Sequence, residues 1–276
     1  MYSIDDVCVV IVFYNGSFDI IDKVINMKKI ISKILIVDNH SDKKYEDIFK
    51  CLIKVEGVNV IRNKENMGIA YALNQGLEYA SKINKKLLLT MDQDSSITGE
   101  CIKKLVSSID VDNGIVSVGP FYGEKEVMNT KNQQVTFLIT SGNLVDVESI
   151  RKIGGYFTKL FIDCVDVDLS FNLVSHGFRL VKVGGTFMEH KIGEYEKSLL
   201  LGVKYLSHNP IRYYYKFRNN IIIYKKYAKV EFNLCLKLFC SLIIEFLKLL
   251  FIERNKIQKL HYTKLGIIDG LKEKVY

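Results

Sequence analysis

The chain has 276 residues, 48% of them hydrophobic, and a formal net charge of +8. That apolar content excludes global disorder, and the length admits one large α/β domain or one domain with an appendage. The charge calls for an anionic partner (nucleic acid, anionic lipid or a phosphorylated substrate) without choosing among them.

The six cysteines form no C-x-x-C pair. They read as reduced core thiols, with neither a disulfide framework nor a zinc site. The opening segment MYSIDDVCVV places acids before its apolar run and has no basic region, which argues against a signal peptide. No stretch reaches the ~18 uninterrupted apolar residues of a spanning helix.

In chain order, VCVVIVFY (7–14) predicts a buried strand rich in β-branched residues, followed by a helix over 18–28. KILIVDN (33–39) predicts a second strand, then a short helix near 42–53. VNVIR (58–62) is a third strand, GIAYALNQGLEYASK (68–82) a helix, and KLLLTM (86–91) a fourth strand. Alternation at this spacing implies βαβ units and a mostly parallel sheet. Ligands bind at the carboxyl ends of such strands. Polar residues gather there: Tyr14 and Asn15, Asp38 and Asn39, Asn63 and Asn66, Asp92 and Asp94.

Beyond residue 115, GIVSVGPF and VTFLITSGNLV (135–145) read as strands. CVDVDLSFNLVSHGF reads as a helix closed by Gly177, and FRLVKVGG as a returning strand. RYYYKFRNNIIIYKKYAKV (212–230) is aromatic and basic. Residues 232–252 are strongly apolar but interrupted by Lys237, Glu245 and Lys248, and 253–276 is lysine-rich. The expected division is a catalytic domain over 1–228, with halves at about 1–98 and 99–228, followed by a helical extension over 229–276.

The run LLLTMDQDSSI ends an apolar strand in two acids. Carboxylates that close are tolerated when solvated or when a cation lies between them, and Asp-x-Asp alone does not decide. Seven segments in order carry more: VVIVFYN, ILIVDNHS, NKENMGIAYALNQGL, LLLTMDQDSSI, the block from ITSGNLV to LVSHGF, MEHKIGE and YYYKFRNN. Together they resemble bacterial family 2 glycosyltransferases of the GT-A fold, and most closely the rhamnosyltransferase-like branch that builds O-antigens and other surface polysaccharides. The resemblance covers about residues 5–225.

The resemblance implies an inverting enzyme that moves a sugar from a nucleotide-diphosphate donor, such as dTDP-rhamnose or a UDP-hexose. It implies Mn²⁺ or Mg²⁺ on Asp92 and Asp94, with Asp94 the firmer ligand, Asp92 also able to contact the donor, and His190 near the metal or diphosphate. Asp38 matches a nucleobase-binding acid and Tyr14 a residue near base and ribose. Asn66 and Gly68 open the 68–82 helix, with Gly68 permitting backbone approach to the donor, although Asn66 equally suits an N-cap. Ser141–Asn143 resemble a sugar-binding floor. Arg218 and Asn219 match a pair that the family carries on a C-terminal helix, with the arginine able to clamp phosphate. Asp166 matches the general base, with Asp163 its rival or the cap of the same helix. Asp168 lies about 200° around that helix from Asp166 and faces away.

The implied acceptor is a saccharide on a polyprenyl diphosphate, with no nucleic-acid partner. Residues 232–252 with their flanking lysines suggest peripheral attachment to the anionic cytoplasmic face of the inner membrane. A core helix and a homodimer contact stay open for the same segment. Two alternatives to the transferase remain. One is a sugar-1-phosphate nucleotidyltransferase, disfavoured because FYNGSFDI has one glycine and no basic residue. The other is a non-catalytic glycan- or lipid-binding scaffold.

Overall fold

The computed structural model of the chain describes residues 2–122, 130–188, 195–197, 204–206 and 209–275. The first half follows the sequence pattern: β1 (Val7–Phe13), α1 (Ile20–Lys28), β2 (Lys33–Asp38), α2 (Glu46–Leu52), β3 (Val58–Arg62), α3 (Ile69–Lys82), β4 (Leu87–Asp92) and α4 (Gly99–Ser108). The second half holds β5 (Ile115–Tyr122), β6 (Gln133–Val135), β7 (Asn143–Asp146), α5 (Val147–Lys152), α6 (Val165–Ser175) and β8 (Arg179–Met188). It closes with α7 (Pro210–Tyr227), α8 (Phe232–Phe251) and α9 (Lys256–Lys272).

Eight strands form one sheet in the order β3-β2-β1-β4-β7-β5-β8-β6. The α/β class is as expected. The β3-β2-β1-β4 half is wholly parallel. β7 then runs antiparallel to both β4 and β5, β8 runs parallel to β5, and β6 is antiparallel to β8. Alternation along β1 explains the layering. Val7, Val9, Ile11 and Phe13 pack in one buried cluster with α1, α2 and α4, whereas Cys8 and Val10 pack in a second with α3 and α6.

Strand order reverses between β1 and β4, because β2 and β3 lie to one side of β1 and β4 to the other. A crevice at the carboxyl ends of two such strands is where open α/β sheets bind ligands. The hydrogen bond from the Tyr14 N–H to Gln93 Oε1 (2.9 Å) ties the two strand ends together there.

The segment 135–145 is a correction, since it is not one strand. β6 ends at Val135 and β7 starts at Asn143, with 136–142 crossing between them. The break comes at Gly142, whose φ of +78° favours glycine. Its N–H donates to the Thr90 carbonyl at 2.8 Å, which holds Thr140 and Ser141 at the end of β4. The cysteines are all free, as expected, but Cys51 and Cys240 are exposed rather than core thiols.

The C-terminal helices α8 and α9 pack against α7. α9 folds back along α7, where a side chain on Gly266 would collide with the Tyr214 backbone. Glu253, buried between α8 and α9, pairs with buried Lys259 at 2.7 Å and accepts from the Tyr213 hydroxyl on α7. Desolvation offsets much of the attraction in a buried pair of this kind, so its net stabilisation is small.

Candidate active site

At the β1/β4 crevice lies a cleft of about 570 Å³. Its lining brings together Tyr14, Asn39, Asn66, Gly68, Asp92, Asp94, Ser141, Asp163 and Asp166 from the sequence reading, with Gln93, Thr140 and Arg212. Four carboxylates thus face one guanidinium among the lining residues. A dianionic ligand entering this cleft must meet compensating positive charge.

Asp92 ends β4 and Asp94 sits exposed in the turn after it. The Asp92 N–H donates to Ser141 Oγ at 3.0 Å, so the 140–142 turn fixes the direction in which β4 delivers its acid. No group of three or more His, Cys, Asp or Glu side chains placed to hold a metal occurs among the described residues. Two acidic side chains nevertheless fit a hard divalent cation, which takes one or two carboxylates and fills the rest of its shell with phosphate oxygens and water. His190 lies outside the described residues.

Asp166 occupies the first turn of α6. Burial pushes its carboxyl up to about 6, and Asp163 and Asp92 add to the rise against the Val167 N–H bond, which lowers it. Val167 N–H donates to Asp166 Oδ1 at 2.9 Å. A carboxylate that keeps one edge in a hydrogen bond and titrates near neutrality suits proton abstraction. The nearby Tyr122 phenol is pushed up by burial and by Asp92 and Asp166, so it stays protonated. It donates to the Ser141 carbonyl at 2.7 Å.

Asp163 is not a helix cap. The N-cap position belongs to Cys164, without a side-chain cap bond. Asp163 and Cys164 are both left-handed, at φ 65° and 62°. A non-glycine residue there costs on the order of 1 kcal/mol or more. The Asp163 carboxylate faces Arg212 of α7, accepting from Nη2 at 2.5 Å and Nε at 3.3 Å. Asp168 does face away: it is buried against Lys226 (2.8 Å) and the Tyr227 hydroxyl (2.9 Å).

Three site residues of the sequence reading sit differently from expectation. Arg218 does not line the cleft. Its guanidinium donates to the Lys159 carbonyl (2.9 Å) and pairs with Glu273 (3.1 Å), because α7 turns that face toward α9. Asp38 is buried behind the cleft wall, accepting from the Ser41 N–H (2.9 Å) and Arg62 Nε (3.1 Å). Gly68 lines the cleft, but the close approach it permits is to protein. With φ +83°, a Cβ there would stand 2.5 Å from the Phe161 carbonyl oxygen, and the Ile69 N–H donates to that same oxygen at 2.7 Å. Asn66 accepts from the Gly68 N–H (3.0 Å) and from Asn39 Nδ2 (2.8 Å), so it shapes the turn into α3.

The sequence reading did not single out Arg212 and gave Asn219 no role of its own. Arg212 is the cleft's guanidinium, six positions before the arginine singled out by the motif. Asn219, fully buried, donates from Nδ2 to the carbonyls of Ile162 (2.8 Å) and Asp163 (3.0 Å). It thereby holds the left-handed turn that presents Asp163 and Asp166. The asparagines of YYYKFRNN were the available signal, since a buried amide must find partners.

The sequence model described as Glycosyl transferase family 2 matches residues 8–165. The chain belongs to this family. It is a glycosyltransferase, which displaces the nucleotidyltransferase and scaffold alternatives. Among curated proteins it is similar to the dTDP-rhamnosyl transferase RfbF of Shigella flexneri, at 27% identity over 95% of this chain and 94% of that one. This makes it rhamnosyltransferase-like. Among solved structures it resembles the mannosyltransferase PcManGT from Pyrobaculum calidifontis, solved with GDP-Man and Mn²⁺. The TM-score is 0.63 at 11% identity, covering 98% of this chain and 76% of that one. It also resembles GalNAc-T7, solved with UDP, GalNAc and Mn²⁺, with a TM-score of 0.58 at 19% identity. There the match covers 67% of this chain and 43% of that one. Both likenesses establish the GT-A fold expected from the sequence.

Proposed function

We propose that this glycosyltransferase transfers rhamnose, with inversion, from dTDP-rhamnose to a saccharide hydroxyl on a lipid-linked acceptor. The observation that carries the reading is the convergence of Asp92, Asp94 and Asp166 on one cleft at the strand-order switch. The rhamnosyl donor is supported by the RfbF likeness over nearly the full chain.

Asp166 accepts the acceptor hydroxyl's proton as its oxygen forms the new bond to the anomeric carbon. The bond from that carbon to the donor diphosphate breaks, and the nucleotide diphosphate leaves on the opposite side. Asp92 and Asp94 would hold a divalent cation, Mn²⁺ or Mg²⁺, which when bound neutralises charge on the departing diphosphate. Arg212 supplies the cleft's own positive charge, with donors beyond those spent on Asp163. Tyr14, exposed at the end of β1, and Gln93 form the shelf for the donor's nucleoside.

Access to a lipid-linked acceptor fits the outer face of α8. Phe232, Leu236, Phe239, Ile243, Ile244 and Leu247 are each at least 44% exposed. No helix among the described residues is long and apolar enough to cross a membrane, so we assign α8 to the surface of the cytoplasmic leaflet, where an apolar face buries and cations meet anionic headgroups. The test is nucleotide release from a panel of nucleotide sugars with a polyprenyl-diphosphate saccharide. Release fastest from dTDP-rhamnose supports the reading, and preference for a UDP-hexose replaces the donor.

A further inference from the structure

A second cavity, of about 590 Å³, lies away from the cleft between α7, α8 and α9. Its wall includes Ile221 and Tyr224 of α7, Phe232, Leu236 and Phe239 of α8, and Leu271 of α9. The size falls within the range of small-ligand sites, and the lining is overwhelmingly apolar. We infer that this groove binds one hydrocarbon chain of a phosphate-headed membrane lipid. The inference rests on the membrane-surface reading of α8 given above.

Three observations select this occupant. First, the groove is continuous with the exposed face of α8, since Phe232, Leu236 and Phe239 belong to both. A chain leaving a bilayer against that face would enter the groove without crossing water. Second, the charge around it is unbalanced toward cations. Residues 229–276 hold nine Lys and Arg against five Asp and Glu, and two of those acids are turned inward: Glu245 to Lys216 at 3.0 Å and Glu253 to buried Lys259. An apolar face on a cation-rich segment matches an anionic lipid surface. Third, the groove shares α7 with the cleft. Arg212 and Ile221–Tyr224 are about 14–18 Å apart along the helix axis at 1.5 Å per residue. A lipid seated in the groove is therefore anchored within one helix length of the transfer site.

The chain contains no tryptophan, so a single introduced indole reports its own surroundings. Phe239→Trp places it in the groove, and Leu247→Trp places it on the outer face of α8, outside the groove lining. Geranylgeranyl monophosphate, kept below its micelle-forming concentration, is the probe. The expected result is a saturable blue shift in Phe239→Trp and none in Leu247→Trp, with both shifting on phosphatidylglycerol vesicles. Leu236→Asp, at a position 45% exposed and so tolerant of change, should weaken the probe's half-saturation by about tenfold or more, because the chain would bury an unpaired carboxylate. Absence of a saturable shift in Phe239→Trp overturns the groove, as does an equal shift in both reporters. Emission that changes with protein concentration alone makes the groove a contact between two copies, which also overturns it. Vesicle binding without the probe response overturns the groove and leaves the membrane face standing. The probe response without vesicle binding removes the membrane face but supports the groove.

Discussion

Replacing Asp166 by Asn should stabilise the protein while disabling it, and the stabilisation should depend on pH. Burial raises the Asp166 carboxyl from an ordinary 3.8 to about 6. A group raised on folding contributes fully below its unfolded value, and that contribution is lost as pH climbs through the folded value. The wild-type protein therefore loses stability between roughly pH 4 and 7 from this one side chain, and a neutral amide does not. At 1.36 kcal/mol per pKa unit, the ceiling is about 3 kcal/mol. Solvent reaching the carboxyl from the open side of the cleft reduces the expected gain to about 1–2 kcal/mol. Asn keeps the oxygen that accepts the Val167 N–H, so no bond is lost to confuse the comparison. Urea unfolding of both proteins from pH 3.5 to 8 should show stabilities that nearly coincide at the acid end, separate between about pH 4 and 6.5, and keep a constant difference above that. An Asn variant that is no more stable than wild type at pH 8, or equally stabilised at both ends, would refute the claim that Asp166 is held under electrostatic strain. In the wild type, kcat/KM should rise through about pH 6 and level above it, because only the carboxylate accepts the proton.

Exchanging the two α7 arginines separates their roles. Arg212→Met should raise the donor KM about tenfold or more by removing a charge-assisted contact, whereas Arg218→Met should lower thermal stability and leave the donor KM near wild type. Asn219→Ala strands two carbonyls of the left-handed turn, so a loss of about 1–3 kcal/mol is expected. It should also lower kcat more than it raises the donor KM, and an unchanged kcat would remove its positioning role. Chelation with EDTA should suppress transfer, with Mn²⁺ or Mg²⁺ restoring it, and full activity in excess chelator would leave Asp92 and Asp94 as donor-binding or turn residues.

The parts of the fold that were legible share a physical origin. β1, β2 and β4 are largely apolar runs because both faces of a parallel sheet are covered by helices, and the polar residues at their ends, Tyr14, Asn39, Asp92 and Asp94, gather at the cleft. Gly177 was readable as a helix terminator because the position after a helix takes a left-handed conformation that glycine adopts without steric cost, and it does take a positive φ of 81°. The 135–145 stretch misled because Val135, Phe137 and Ile139 before the turn at Gly142, and Val145 after it, all carry β-propensity. Asp166 was singled out through the family resemblance and its place at the head of a helix. Arg212, the partners of Asn219 and the partners of Asp38 were not legible, because each depends on which face of α7 or β2 meets which loop. Spacing along one chain segment does not carry that information. Gly68 shows the same limit: its need for a missing side chain was clear, but the neighbour that requires it, Phe161, is far away in sequence.

Steady-state turnover of Asp166→Asn and Asp163→Asn, measured side by side with dTDP-rhamnose and a polyprenyl-diphosphate saccharide, tests the central claim most directly. The account predicts a loss of roughly 10²–10⁴-fold for Asp166→Asn, with donor binding retained. It predicts a smaller loss for Asp163→Asn, carried mainly in donor KM through Arg212. Near-normal turnover in Asp166→Asn beside a collapse in Asp163→Asn would contradict it and move the base to Asp163.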